Sequence, residues 1–330
     1  MGETEIPGFI DLQVNGWRGV DFSCADLTDD AFVQVCRELT EGGTTAFLPT
    51  LVTSPPEIYE RNLPLMAGLM ARSEVGRYSL GFHLEGPFIS PEEGARGMHR
   101  TDWVRKPDIP YFEHLQCLAG GRIRLLTIAA ELPGAEELAR HAVKGGVTVS
   151  LGHQLAGDDE VARLAAAGAV SLTHLGNGVP QYIHRHRNPL WAGLAADPLT
   201  AMVITDGHHL PDSLIRVILR VKGPQKTVVV SDSSPLAGLP PGSYAWGGVS
   251  VILEESGYLH QARGALLAGS SANMLTCMNH LASLNLLTGD ELRHIGYYGP
   301  LRLIGADPPH TVGGVAVRFN RESGQFAVRK

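Results

Sequence analysis

The chain has 330 residues, 44% hydrophobic and 18% charged, with a formal net charge of −7 at pH 7. That acidic balance argues against a nucleic-acid or anionic-membrane surface as partner. A mean hydropathy of +0.01, with no apolar run near the ~20 residues of a membrane span, argues against a spanning protein. The first residues, Met1-Gly2-Glu3-Thr4-Glu5, lack the apolar core of an export signal, and Ile6 breaks a lipidation pattern. The four cysteines (Cys24, Cys36, Cys117, Cys277) form no C-x-x-C pair and read as reduced thiols. The expected compartment is the cytoplasm.

Strand and helix patterns alternate along the chain. Pro7 to Gly16 reads as a strand and Leu27 to Leu39 as a helix. Thr44 to Leu51 is a second strand, followed by a helix over Pro55 to Met70 with Ser54 as its expected cap. Ser79 to Glu85 is the third strand, then a long loop and a helix near Pro110 to Cys117. Arg124 to Ala130 and Val147 to His153 are strands four and five, with helices over Gly134 to Lys144 and Asp158 to Ala167. Val170 to His174, Ala201 to Asp206 and Thr227 to Asp232 complete the set, and a helix follows Pro211. Eight strands with intervening helices predict an α/β fold, a (β/α)8 barrel of the TIM type, over residues 7–308. A glycine-rich β excursion is expected at about 242–264 and two closing helices over Ser270 to Leu287 and Thr288 to Tyr297. Residues 309–330 read as a short β tail.

Several of these strands run into a metal-ligand or acid/base side chain. They include Phe82-His83-Leu84-Glu85, Leu151-Gly152-His153, Leu172-Thr173-His174, Ile204-Thr205-Asp206 and Val229-Val230-Ser231-Asp232. In a closed parallel barrel these ends converge on one rim. Glu85 and His83, two apart, point to the same side of their strand. His153 and His174 are spaced by one helix plus one strand, which makes them neighbours. Two imidazoles and a carboxylate with a fourth position open form a catalytic zinc set. Such an ion lowers the pKa of bound water to ~7 and polarises a carbonyl.

The motifs Pro7-Gly8-Phe9-Ile10-Asp11, His83-Leu84-Glu85-Gly86-Pro87-Phe88, Leu151-Gly152-His153, Thr173-His174-Leu175-Gly176-Asn177-Gly178, Ser231-Asp232-Ser233 and Gly264 to Ser270 together resemble a known family. It is that of the N-acetylglucosamine-6-phosphate deacetylases, within the amidohydrolase superfamily. The resemblance runs from about Pro7 to Asp307. It implies hydrolysis of the acetamide of N-acetylglucosamine 6-phosphate, with a divalent ion on Glu85, His153 and His174. It implies Asp232 as general base then acid. It aligns His99 with a histidine that polarises the acetyl carbonyl, and His209 with a substrate-contacting one. Asn177, the Gly178 backbone and either Arg185 or Arg187 are implied at the substrate's phosphate end.

Most of the superfamily carries His-x-His on the first strand for a second metal. Here the segment reads Gln13-Val14-Asn15, and amides are poor ligands for a transition metal. One ion is therefore expected, zinc first, with iron, manganese or cobalt as alternatives. The resemblance also implies a homodimer. Family members carry an N-terminal β segment before the barrel, so the tail here is expected to have lost most of its partner. Two other readings stay open: the same chemistry on another N-acetylated sugar or N-acyl substrate, and a non-catalytic barrel that binds a sugar phosphate.

Overall fold

The computed structural model describes residues 4–263, 266–309 and 315–329. Eight parallel strands form one sheet whose spatial order follows the chain: Phe9–Val14, Thr44–Val52, Phe82–Glu85, Ile123–Ile128, Thr148–Leu151, Ser171–Leu172, Thr200–Val203 and Thr227–Val229. Helices lie between them. The sheet curls into a nearly closed barrel: past the last strand, Val14 bridges Ser233, and Asn15 N–H donates to Ser233 O at 2.9 Å. The strands are buried on both faces, so they read as apolar runs rather than alternating ones.

A polar layer crosses the barrel interior. His83 bonds Thr50 through one ring nitrogen at 3.3 Å and Thr127 through the other at 2.8 Å. Thr127 meets the Thr173 hydroxyl, which donates to Ser150. Every member is buried, and each is satisfied by another side chain of the layer. This layer fixes the inner faces of strands two to six just below the rim.

Two local expectations need correction. Ser54 does not cap the helix Pro56–Met70: its hydroxyl turns back to Val52 O at 2.9 Å, and the cap position is Pro55 with no side-chain bond. Pro56 at the helix start removes a backbone donor that a cap would otherwise satisfy. A helix not expected at all spans Pro189–Ala195, with Asn188 accepting from Trp191 N–H at 3.0 Å. The Asn188-Pro189 pair is the N-cap and first-turn proline signal that marks it.

The excursion is a three-stranded antiparallel sheet (Gly242–Trp246, Val249–Leu253, Leu259–Gln261) over its own apolar cluster. Met98 packs into that cluster from the loop after the third barrel strand. Gly264 and Ala265 of the later turn motif lie outside the described residues, as do 312–314 of the tail. The tail forms the hairpin Ala316–Asn320 and Gln325–Arg329. A three-residue partner remains: Thr4–Ile6 adds a third, antiparallel strand. Its inner face rests on the barrel, with Phe326 edge-on to Phe9 at 5.2 Å. Among the described residues no helix is long and apolar enough to cross a membrane.

Candidate active site

Four of the strand ends deliver side chains to one point. Glu85 Oε1 lies 3.1 Å from His153 Nε2 and 2.9 Å from His174 Nε2. The two Nε2 atoms are 3.0 Å apart. Asp232 joins this group through Gln13, whose Nε2 donates to Glu85 Oε1 at 2.6 Å and to Asp232 Oδ1 at 2.9 Å. Asn15 Nδ2 donates to the same Asp232 oxygen at 2.7 Å.

The backbone turns sharply to do this. His153, His174 and Asp232 sit at φ values of 49°, 30° and 49°, three of the five non-glycine residues with positive φ among those described. Such conformations cost on the order of 1–3 kcal/mol each and persist where the surroundings over-determine them. Gly178 follows closely, and a Cβ there would meet His153 Nδ1 at 3.0 Å. The glycine thus lets the loop after His174 lie against the His153 ring.

Hydrogen bonding settles the protonation of two rings. His153 Nδ1 faces Ala95 O at 2.8 Å. A carbonyl only accepts, so Nδ1 carries a proton, and Nε2 is the nitrogen turned toward the cluster and available to ligate. A lone pair and a carboxylate oxygen at 3.1 Å repel unless a cation or proton stands between them. The donor set therefore suits a divalent ion with nitrogen and oxygen ligands. His99 is the opposite case. Its Nδ1 accepts the Thr53 backbone N–H at 3.3 Å, which leaves Nε2 as an N–H donor 3.8 Å from Glu85 Oε2. Glu85, His99 and His153 also bring ligand atoms within 4.8 Å of one another. The Thr53 bond favours His174 over His99 as the third ligand, because a protonated Nε2 has no lone pair to give.

Electrostatics follow from burial. Burial alone would raise the Glu85 carboxyl, but bonds and charge from His153 and His174 outweigh it and hold it well below the usual range. Burial, reinforced by the Glu85 charge, raises Asp232 to about 6, against the opposing pull of His174 and His209. Burial and the neighbouring imidazoles push His99 down to about 3, so it is neutral at ordinary pH.

His209 is tied to Asp206, whose Oδ2 lies 2.7 Å from its Nδ1 and whose Oδ1 accepts the backbone N–H groups of His208 and His209. His208 points away and meets Ser256 O. Asn177 Nδ2 is buried with no partner among the described residues. Arg185 and Arg187 lie on an exposed loop, with no side-chain hydrogen bond to the cluster among the described residues. Sequence reasoning placed Asp206 at a strand end without giving it this orienting role, and it missed Thr53; the two orient two of these histidines. Asp206 stood in the turn Asp206-Gly207-His208-His209, three residues before the ring it holds.

No family model matches the whole chain or a part of it. Individual proteins do match. Human N-acetylglucosamine-6-phosphate deacetylase is 34% identical over 319 residues, covering 93% of this chain and 76% of that protein. The chain belongs to the N-acetylglucosamine-6-phosphate deacetylase family. That places it among the hydrolases of the amidohydrolase superfamily. N-acetylgalactosamine-6-phosphate deacetylase of Escherichia coli O157:H7 is 30% identical over 308 residues, covering 92% of this chain and 79% of that one. A Mycobacterium smegmatis member of the family, a variant solved in complex with N-acetyl-D-glucosamine-6-phosphate, superposes with a TM-score of 0.87 at 26% identity. That match covers 100% of this chain and 86% of the solved one.

Proposed function

We propose that this protein removes the acetyl group of N-acetylglucosamine 6-phosphate, giving glucosamine 6-phosphate and acetate. Glu85, His153 and His174 would hold one divalent ion, zinc before iron, manganese or cobalt. When bound, that ion acidifies a water and polarises the acetyl carbonyl. Asp232 takes a proton from the attacking water as the C–O bond forms. The same carboxyl then gives the proton to the amide nitrogen, so that the C–N bond breaks and an amine leaves. A positioned acid/base group of this kind contributes ~10²–10⁴-fold. His99, fixed as an Nε2–H donor by Thr53, donates to the carbonyl oxygen as negative charge develops there.

His209, held by Asp206, binds a substrate hydroxyl. Asn177 and the Gly178 backbone, with Arg185 or Arg187, receive the phosphate. The protein works in the cytoplasm as a homodimer, with the barrel over 7–308 as catalytic unit and 309–330 as a small β appendage. The reading rests on one observation: two imidazole nitrogens meet the Glu85 carboxylate within 3.1 Å, next to a hydrogen-bonded Asp232.

A second reading keeps the chemistry and changes the sugar. The two arginines lie on an exposed loop, and one relative is named for a galactosamine phosphate. A non-catalytic barrel is disfavoured, since binding alone gives no use for Asp232. The deciding experiment compares acetate release from N-acetylglucosamine 6-phosphate, N-acetylgalactosamine 6-phosphate and N-acetylglucosamine, with metal content measured per chain. No acetate from any of the three, with metal bound, defeats the proposal.

A further inference from the structure

We infer that Gln13 is a positioning residue that locks the metal-ligand carboxylate and the proton-carrying carboxylate into one unit. The inference rests on the reading of Glu85 and Asp232 just given. Its ground is the single amide nitrogen that serves both: Gln13 Nε2 is 2.6 Å from Glu85 Oε1 and 2.9 Å from Asp232 Oδ1. An amide nitrogen carries two hydrogens, one for each acceptor. Two carboxylates that share one amide nitrogen repel each other as like charges. A neutral two-proton donor between them relieves that repulsion without adding a charge that competes with the ion.

The orientation of the amide is dictated by its neighbours. Turning it over would set Oε1 against two carboxylate oxygens. Gln13 is fully buried, and its Oε1 has no partner among the described residues. A bare buried acceptor is costly, and the two donated bonds outweigh that cost. Asn15 backs up only one side, since its Nδ2 reaches Asp232 and not Glu85. The two residues of the Gln13-Val14-Asn15 segment therefore have separable effects. Gln13 sets both the aim of Glu85 and the free face of Asp232; Asn15 sets only the latter.

The test uses the full chain with Co²⁺ as the probe ion, read by its visible absorption and by chelator competition. Gln13→Met removes both N–H groups at similar volume. It should weaken Co²⁺ binding and lower kcat by ~10–100-fold each, the usual cost of losing a ligand-orienting partner, with KM within about twofold because no substrate contact is lost. Asn15→Leu should lower kcat and leave Co²⁺ affinity unchanged. In an Asp232→Asn background at saturating Co²⁺, Gln13→Met should lower kcat by less than it does in the wild type, because only its hold on Glu85 is left to lose, and its effect on Co²⁺ affinity should persist. Gln13→Leu stands in if the Met variant does not fold, and loss of fold in both overturns the inference in favour of a purely structural residue. Gln13→Met with both kcat and Co²⁺ affinity within twofold of wild type also overturns it. If the wild type releases no acetate from any N-acetylhexosamine phosphate, the functional reading fails, and the Co²⁺ comparison alone decides the positioning role.

Discussion

Asp11 accepts both the hydroxyl and the backbone N–H of Ser231, the latter at 3.1 Å. The bond ties the first barrel strand to the segment leaving the eighth, where no strand ladder runs. Burial raises the Asp11 carboxyl to about 7, outweighing the Ser231 and Gln13 bonds that lower it. The folded state therefore favours the protonated acid. An unfolded Asp11 ionises near pH 4. The contribution of this group to stability is complete below that pH and is lost as pH rises to about 7.

Asp11→Asn should expose that dependence. An Asn side chain still accepts the Ser231 N–H and can donate to its hydroxyl. In urea unfolding the variant should match the wild-type unfolding free energy at pH 4 and exceed it at pH 8, by on the order of 4 kcal/mol at most. Equal stability differences at both pH values would show that Asp11 is ionised in the fold.

Asp232→Asn keeps an oxygen to receive the Gln13 and Asn15 amides, so the fold and metal content should not change. Turnover should fall by ~10²–10⁴-fold. Steady-state kinetics beside metal analysis checks this, and unchanged turnover removes Asp232 from the mechanism.

Asp232 also sets a pH limb. A base must be ionised to act, and this carboxyl is raised to about 6. A bound cation pulls that value down. So kcat/KM should fall about tenfold per pH unit below a midpoint no higher than about 6. The limb should vanish in the slow residual activity of Asp232→Asn. A midpoint well above 6 would point to a different base.

His99 separates a donor from a ligand. If its Nε2–H polarises the carbonyl, His99→Ala should cost ~10²–10³-fold in kcat while metal content stays at the wild-type level. Loss of metal in that variant would instead make His99 part of the ion's own shell.

The barrel was legible because its strands are apolar runs, several of them running into a polar residue, as in Val228-Val229-Val230 before Asp232. The cluster was legible for the same reason: Glu85 closes its strand, and His153 and His174 each follow theirs by two residues. What the chain did not declare are contacts made across it. Thr53 fixes the His99 tautomer from 46 residues away, and Gln13 reaches Asp232 across 219. Neither has a local pattern, since a backbone N–H carries no residue signature and an amide reads as any polar residue. Ser54 misled in the other direction: its type fits a cap, but Pro56 had already removed one of the donors that a cap would meet.

Arg185 and Arg187 pose the phosphate question in a form that kinetics can answer. Their loop is shaped by its own bonds: His184 Nδ1 accepts the N–H groups of His186 and Arg187, and Trp191 Nε1 donates to Arg185 O at 2.9 Å. Those bonds use backbone atoms of both arginines and leave the guanidinium groups to solvent or ligand. A phosphate contact lies far from the reacting carbonyl, so losing it removes binding common to ground and transition states. Replacing the arginine that meets phosphate by alanine should raise KM for the 6-phosphate sugar by ~10-fold or more at unchanged kcat. The same variant should handle the unphosphorylated sugar as wild type does. If alanine at neither position changes that ratio, the phosphate is held by groups other than these two, and the backbone around Asn177 and Gly178 becomes the place to look.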